Sequence, residues 1–221
     1  MHGVFDIIGP VMIGPSSSHT AGAVRLGLIA RKILGEDPVD VRIKLHGSFA
    51  HTYRGHGTDK ALIAGIMGFS TDDERIRYAL KIARQSNICY EFQTVDLGPS
   101  IHPNTAVITL TGINGRQTKL IGSSIGGGNI MITNIDGYEV ELTGQYATLI
   151  TVHHDRPGVI TKVTSILAKH KINVAFMRVS RKRRGEEALM ILEVDEVISD
   201  TVVDETQTVD DVNHSFAIPP I

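Results

Sequence analysis

Glycine is spread so unevenly along this chain that it divides the fold before any element is assigned. Of 22 glycines in 221 residues, 20 lie at or before Gly144 and two follow it. The glycine-rich part implies tight turns and close backbone approaches. The remainder reads as a compact alternation of strands and helices. We place the joint in Leu142-Thr143-Gly144-Gln145, a polar stretch after the strand-like Tyr138–Leu142, and expect two domains, 1–145 and 148–221. The expected class is α+β, a mixed α/β domain followed by a ferredoxin-like βαββαβ sandwich.

In the first part, residues 4–8 read as extended and Gly9-Pro10 as a turn. Residues 21–34 carry Ala21, Val24, Leu28, Ile29, Ala30 and Leu34 at helical spacing, and Gly35 ends that helix. Residues 39–45 alternate strictly and predict a strand. Gly55-His56-Gly57-Thr58-Asp59 leads into a second helix at 60–67. Thr71 with Glu74 three residues later is a capping box for a third helix reaching about Gln85. Cys89 is expected to pack as a small apolar residue in or beside that helix. Residues 106–110, 119–121 and 129–132 read as further strands.

In the second part, residues 149–152 predict a strand. Asp155-Arg156-Pro157-Gly158 predicts a helix start, with the carboxylate at the cap and proline just inside. The helix at 159–170 puts Val159, Val163, Ile166 and Leu167 on one face. Strands at 174–180 and 188–194 flank Arg181-Lys182-Arg183-Arg184-Gly185, which suits a solvated hairpin tip. A short helix at 200–205 and a strand at 215–218 complete the order.

Composition removes several function classes. Lys plus Arg number 22 against 24 Asp plus Glu, a net charge of −2. That balance gives no electrostatic case for nucleic acid. No apolar run approaches the roughly 18–20 residues that span a bilayer. The amino terminus has neither a basic start nor an apolar core, so a soluble cytoplasmic protein is expected. One cysteine excludes a disulfide framework, and it excludes a thiolate zinc site or a full iron–sulfur cluster held by this chain alone.

Gly14-Pro15-Ser16-Ser17-Ser18-His19-Thr20 is the strongest chemical signal. Hydroxyls and a histidine precede a helix whose first N–H groups lack internal partners, which suits a carboxylate or phosphate. One serine would suffice as an N-cap, and five polar residues exceed that need. Gly55-His56-Gly57-Thr58-Asp59 repeats the arrangement. An imidazole with an ordinary pKa near ~6.5 takes a proton readily at neutral pH, although alone His56 reads as an exposed turn residue. His46-Gly47-Ser48 follows the alternating strand, and His102-Pro103-Asn104-Thr105 precedes another. Neither resembles a zinc motif. Gly122-Ser123-Ser124-Ile125-Gly126-Gly127-Gly128-Asn129 is neither a P-loop nor a dinucleotide fingerprint, and it reads equally as an anion-binding turn or a flexible hairpin. Asp155-Arg156-Pro157-Gly158 could seat the charged groups of an amino acid, but as a helix start it needs no ligand.

Taken together, Val4-Phe5-Asp6-Ile7-Ile8-Gly9-Pro10, the run from Gly14-Pro15 through Ala21-Gly22, Leu45-His46-Gly47-Ser48-Phe49-Ala50, Gly55-His56-Gly57-Thr58-Asp59-Lys60-Ala61 and His102-Pro103-Asn104 resemble the iron–sulfur-dependent L-serine dehydratases. The second part resembles an ACT domain, by its βαββαβ order and by Asp155-Arg156-Pro157-Gly158. The combination is similar to the β subunit of the two-chain form and spans nearly the whole chain. The resemblance implies a first domain of the allosteric-substrate-binding type, found also in some phosphoglycerate dehydrogenases. It implies conversion of L-serine to pyruvate and ammonia, with a [4Fe–4S] cluster held by cysteines of a separate α subunit and acting as Lewis acid on the serine hydroxyl. The lone Cys89 fits a chain without the cluster, and no metal ligand is assigned to this chain. The implied partners are the α subunit, L-serine, and a second copy meeting through the ACT or the N-terminal domain, with no nucleic acid and no membrane.

On this resemblance Ser16, Ser17, Ser18 and Thr20 hold the substrate carboxylate with His19 beside them. His46, Ser48, Thr58 and Asn104 complete the substrate site, and His56 is the candidate base. The base stays open among His19, His46 and His56. In the ACT part Asp155, Pro157 and Gly158 would take a regulatory ligand. A rival reading makes the chain a sensor of amino acids that does no chemistry. A third, a regulatory piece tied to serine biosynthesis, is disfavoured by the missing dinucleotide fingerprint.

Overall fold

A computed structural model describes residues 12–14 and 16–221. The extended segment expected at 4–8, the Gly9-Pro10 turn and Pro15 lie outside these residues. The chain forms two compact units, Met1–Asp136 and Gly137–Ile221.

The first unit begins with a π-helical turn, Ser17–Gly22, that runs directly into helix α1 (Ala23–Leu34). Ser16 caps the start in an extended conformation, and Gly35 closes the end at φ 75°, donating its N–H to the Arg31 carbonyl. Strand β1 (Pro38–Leu45) buries Val41, Ile43 and Leu45 and exposes Arg42 and Lys44, as its alternation requires. Helix α2 (Gly47–His56) then occupies a stretch in which the sequence predicts no helix. Phe49 is its only fully buried side chain, so the apolar period that reveals a helix is missing. Helix α3 (Thr58–Ile66) buries every residue except Lys60.

Two glycines let α1 and α3 touch backbone to backbone. A Cβ on Gly27 would stand 2.5 Å from the Leu62 carbonyl oxygen, and one on Gly65 would overlap the Val24 carbonyl oxygen. The expected third helix is a 3₁₀ turn, Glu74–Tyr78, followed by α4 (Ala79–Gln85). Its cap is Asp73, which accepts from the Arg75 N–H, and not Thr71. Strand β2 (Cys89–Thr94) was not expected, and Cys89 is exposed on it rather than packed by the helix.

Strands β3 (Thr105–Gly112), β4 (Gln117–Gly126) and β5 (Asn129–Ile135) complete this unit's sheet in the order β2-β1-β3-β4-β5. Only β1 and β2 run parallel, joined by the helical crossover that parallel strands need. Ile43 pairs with Ile108, and Ile108 with Leu120. Helix α1 packs on β3 and β4. Strand β4 takes in Gly122, Ser123, Ser124, Ile125 and Gly126, so the turn in the glycine run shrinks to Gly127 and Gly128, both at positive φ.

The second unit contains β6 (Tyr138–Leu142), then β7 (Ala147–His154), α5 (Val159–Lys169), β8 (Val174–Arg181), β9 (Glu187–Val194), α6 (Asp200–Gln207) and β10 (Val212–Ile218). From β7 onward this is βαββαβ, with an antiparallel sheet ordered β10-β7-β9-β8. Val159, Val163, Ile166 and Leu167 of α5 pack on Leu149, Met190 and Leu192, as the predicted face requires. The helix cap differs from expectation. Gly158, at φ 92°, is the N-cap residue and Pro157 precedes it, while the Asp155 carboxylate accepts from the Gly185 N–H at 3.0 Å and pairs with Arg181 at 2.7 Å. Asp155 is therefore spent on the basic hairpin tip.

Candidate functional site

In the first unit His19 is contacted by Ser16 of its own turn and by Ser48, Phe49, Thr52 and His56 of α2. The π-helical turn buries His19 and Thr20, and π-helical turns recur where side chains must be aimed at a ligand. The His19 ring lies edge-on to Phe49 at 5.2 Å and to His56 at 4.8 Å, measured between centroids. Its Nδ1 is 3.4 Å from Ser16 Oγ, while Nε2 is 3.1 Å from Thr52 Oγ1 and 3.4 Å from Ser48 Oγ. Burial, and then the neighbouring His56, push the His19 pKa below its ordinary value, so the ring is neutral at neutral pH. His56 itself is exposed at the end of α2. The pair thus sets a buried neutral imidazole against one in contact with solvent.

In the same unit several polar atoms are buried with no hydrogen-bond partner: Thr20 Oγ1, Thr58 Oγ1, Asn104 Oδ1 and Ser124 Oγ. Leaving such an atom unsatisfied costs about 1–3 kcal/mol, so each calls for a partner that the protein itself does not supply. Thr20 is fitted against Gly14, where any Cβ would overlap its hydroxyl, and Ser124 against Gly22 in the same way. The backbone ties Asn104 to this region, since Ser124 donates its N–H to the Asn104 carbonyl at 3.0 Å. Arg25, half-buried, donates to the Gly128 carbonyl at 2.9 Å and adds a guanidinium beside the β4–β5 turn.

The expected residues are placed as follows. Ser16 and Ser48 reach His19 directly, and Ser17 and Ser18 are half-buried on the same turn. Thr20, Thr58 and Asn104 supply three of the four orphaned atoms. His46 faces a different space, a cleft of about 390 Å³ lined with His51, Thr94, Val95 and Asp96. Its Nδ1 accepts from the Leu97 N–H at 3.1 Å, which commits that nitrogen to the backbone. In the second unit Pro157 and Gly158 are exposed, and Gly158 lines a groove with Lys162, Glu205 and Asp210. The carboxyl of Asp155 is held below its ordinary pKa by the Gly185 N–H and by Arg181. Sequence reasoning missed Phe49, Thr52 and Ser124. Ser124 sat inside the glycine run singled out as an anion site or hairpin, and Phe49 inside a matched motif without a role, whereas nothing in the pattern marked Thr52.

The donor set does not fit an iron–sulfur cluster. Cys89 is the only cysteine and lies exposed on β2, and among the described residues no three His, Cys, Asp or Glu side chains converge as metal ligands do.

Comparison with known proteins gives this site a context. Residues 3–134 match the family model described as "Serine dehydratase beta chain", and residues 147–211 match the ACT domain. A Bacillus subtilis protein described as "Probable L-serine dehydratase, beta chain" is 51% identical over 202 residues, covering 91% of each chain. The L-serine dehydratase beta chain of Peptoniphilus asaccharolyticus is 39% identical, covering 91% of this chain and 90% of that one. A D-3-phosphoglycerate dehydrogenase of Bacillus subtilis is 27% identical over 86% of this chain but only 36% of its own length. Matched over both of its units by beta chains of like length, and over most of its first unit by the family model, this chain belongs to the serine dehydratase beta chain family, with an ACT domain at its carboxyl end.

Proposed function

We propose that this chain is the β subunit of an L-serine dehydratase that forms pyruvate and ammonia together with an α subunit. The observation that carries the reading is the His19–His56 pair, with ring centroids 4.8 Å apart and with Ser16, Ser48 and Thr52 on the His19 ring nitrogens. Removing water from serine needs a base for a weakly acidic Cα proton and donors for the carboxylate. His56, open to solvent beside the neutral His19, is the base in this reading. Ser16, Ser17, Ser18, Thr20 and Asn104 take the carboxylate, with Ser48 and Thr58 next to them. The Cα proton passes to the base, and the β-hydroxyl departs as hydroxide that becomes water by taking back a proton from the protonated base. The resulting enamine tautomerises to an imine, and hydrolysis yields pyruvate and ammonia. The resemblance implies a [4Fe–4S] cluster held by cysteines of the α subunit, and the single cysteine of this chain is consistent with that.

The test is His56→Asn in the complex with the α subunit. Turnover is expected to fall by about 10²–10⁴-fold, the range of general acid–base catalysis, with complex formation unchanged. Full turnover in an intact complex would overturn the base assignment.

The sensor reading is favoured by one observation, the likeness of this chain to part of a D-3-phosphoglycerate dehydrogenase, named for a different reaction. It requires serine binding with no turnover in any mixture with the α subunit. Self-association through the ACT domain is supported by Phe176 and Met177 on β8, 59% and 52% exposed. Phe176→Asp is expected to lower the sedimenting mass if β8 is the contact.

A further inference from the structure

We propose that Thr52 is a positioning residue that holds His19 as the tautomer protonated on Nε2, leaving Nδ1 as the accepting nitrogen of the site. The inference rests on the reading of His19 as part of the substrate site, and it follows from counting protons. A threonine hydroxyl has one proton. Thr52 Oγ1 lies 2.7 Å from the Ser48 carbonyl oxygen, which can only accept, so the proton is spent there. Toward His19 Nε2, at 3.1 Å, the same oxygen can then only accept, so Nε2 carries the hydrogen. In a neutral ring Nδ1 is consequently bare.

The other side of the ring agrees. Ser16 Oγ accepts from the His19 backbone N–H at 3.4 Å, which leaves the Ser16 proton to point at Nδ1, also at 3.4 Å. Both contacts are long, so an incoming group can replace Ser16 at little cost. The Thr52–Ser48 bond spans one turn inside α2, so the helix itself aims the acceptor. Ser48 Oγ, 3.4 Å from Nε2, is a second and weaker neighbour of that N–H.

A consequence for specificity follows. Whatever replaces Ser16 at Nδ1 must bring a proton, so the ammonium or hydroxyl of an amino acid fits and its carboxylate does not. The carboxylate is left to Ser16, once released from Nδ1, and to Ser17, Ser18, Thr20 and Asn104. This moves His19 from the carboxylate end of the substrate, where the sequence places it, to the end that donates.

The test labels the full chain with ¹⁵N-histidine and reads both ring nitrogens of His19 at neutral pH, the signals being identified by their loss in His19→Gln. A protonated Nε2 and a bare Nδ1 are expected, and the reverse pattern overturns the proposal without any variant. Thr52→Val, which removes the acceptor and keeps the shape, is expected to mix or reverse the tautomers, while Thr52→Ser and Ser48→Ala keep the original one. An unchanged pattern in Thr52→Val overturns the positioning role. In the complex with the α subunit, Thr52→Val is expected to lower kcat about tenfold with KM within about twofold, as loss of one hydrogen bond predicts, and Thr52→Ser to restore it. Failure of the dehydratase reading would appear separately, as no pyruvate from the unaltered complex while the nitrogen pattern still holds.

Discussion

In the first unit the hydroxyls of Thr20, Thr58 and Ser124 and the side-chain oxygen of Asn104 are buried without partners, whereas in the second the buried Glu193 carboxylate accepts from both the Thr143 hydroxyl, at 3.0 Å, and the Thr143 N–H. Likewise Glu205 is gripped by Lys169 and His170, and Asp155 by Arg181 and Gly185. Among the described residues of the second unit His153 Nε2 is the one orphan. Buried polar groups that serve structure are paired, because an unmade bond costs as much as it does. Polar groups that stay unpaired in a well-packed unit are kept for something the chain does not itself supply. This contrast is what the proposed reading expects, with buried polar groups left open in the first unit and mostly paired in the second.

The largest effect is expected where the first unit is packed without slack. Gly65→Val would drive a side chain into the Val24 carbonyl and force α1 from α3. Overpacking of this kind costs about 3 kcal/mol when backbone must move. Hydrogen exchange is expected to accelerate across α1, α3 and β3 and to stay unchanged across β7 and β9. Uniform acceleration would mean that the two units do not hold their stability separately.

A pair of substitutions tests the polar contrast by the sign of its effect. Thr143→Val leaves the buried Glu193 carboxyl without its hydroxyl and is expected to destabilise the second unit by about 1–3 kcal/mol. Ser124→Ala removes an oxygen that has no partner, so the first unit is expected to gain up to about 1 kcal/mol while serine turnover in the complex falls. Urea midpoints of the two variants measure both signs. A loss of stability in Ser124→Ala would show that its hydroxyl is structural, and the contrast would break at that residue.

How far the sequence could be read follows the same division. The second unit was legible almost throughout, because α5 and strands β7 and β9 expose their periods through core residues such as Val163, Leu167, Leu149 and Leu192. Its one misreading, Asp155 as a cap, came from a carboxylate whose partner lies 30 residues away at Gly185, beyond the reach of local rules. In the first unit α2 was invisible. It turns Ser48, Thr52 and His56 toward His19 and buries only Phe49, so it serves the site and has little apolar face to declare itself. The motifs around Ser16, Thr58 and Asn104 were legible as polar residues beside glycine or proline. Thr52 was not, since its role depends on a helix that the pattern hides.

The smallest expected effect is a pair of opposed pH contributions, one from His19 in the first unit and one from Glu193 in the second. Burial and His56 lower the His19 pKa, so its folded value lies below the unfolded value of about 6.5. Such a group contributes stability that is present above the unfolded pKa and is lost as pH falls through the folded one. The slope from one proton is at most about 1.4 kcal/mol per pH unit. Burial raises the Glu193 pKa against the opposing Thr143 hydrogen bonds, so its contribution runs the other way, present at low pH and lost as pH rises through its folded value. As pH falls from 7 to 5, the protection of first-unit amides relative to the intrinsic chemical rate is therefore expected to fall by the share His19 contributes, and His19→Gln to remove that share. A trend of the same size in His19→Gln would assign it to other groups and leave the neutral, buried character of His19 without a thermodynamic trace.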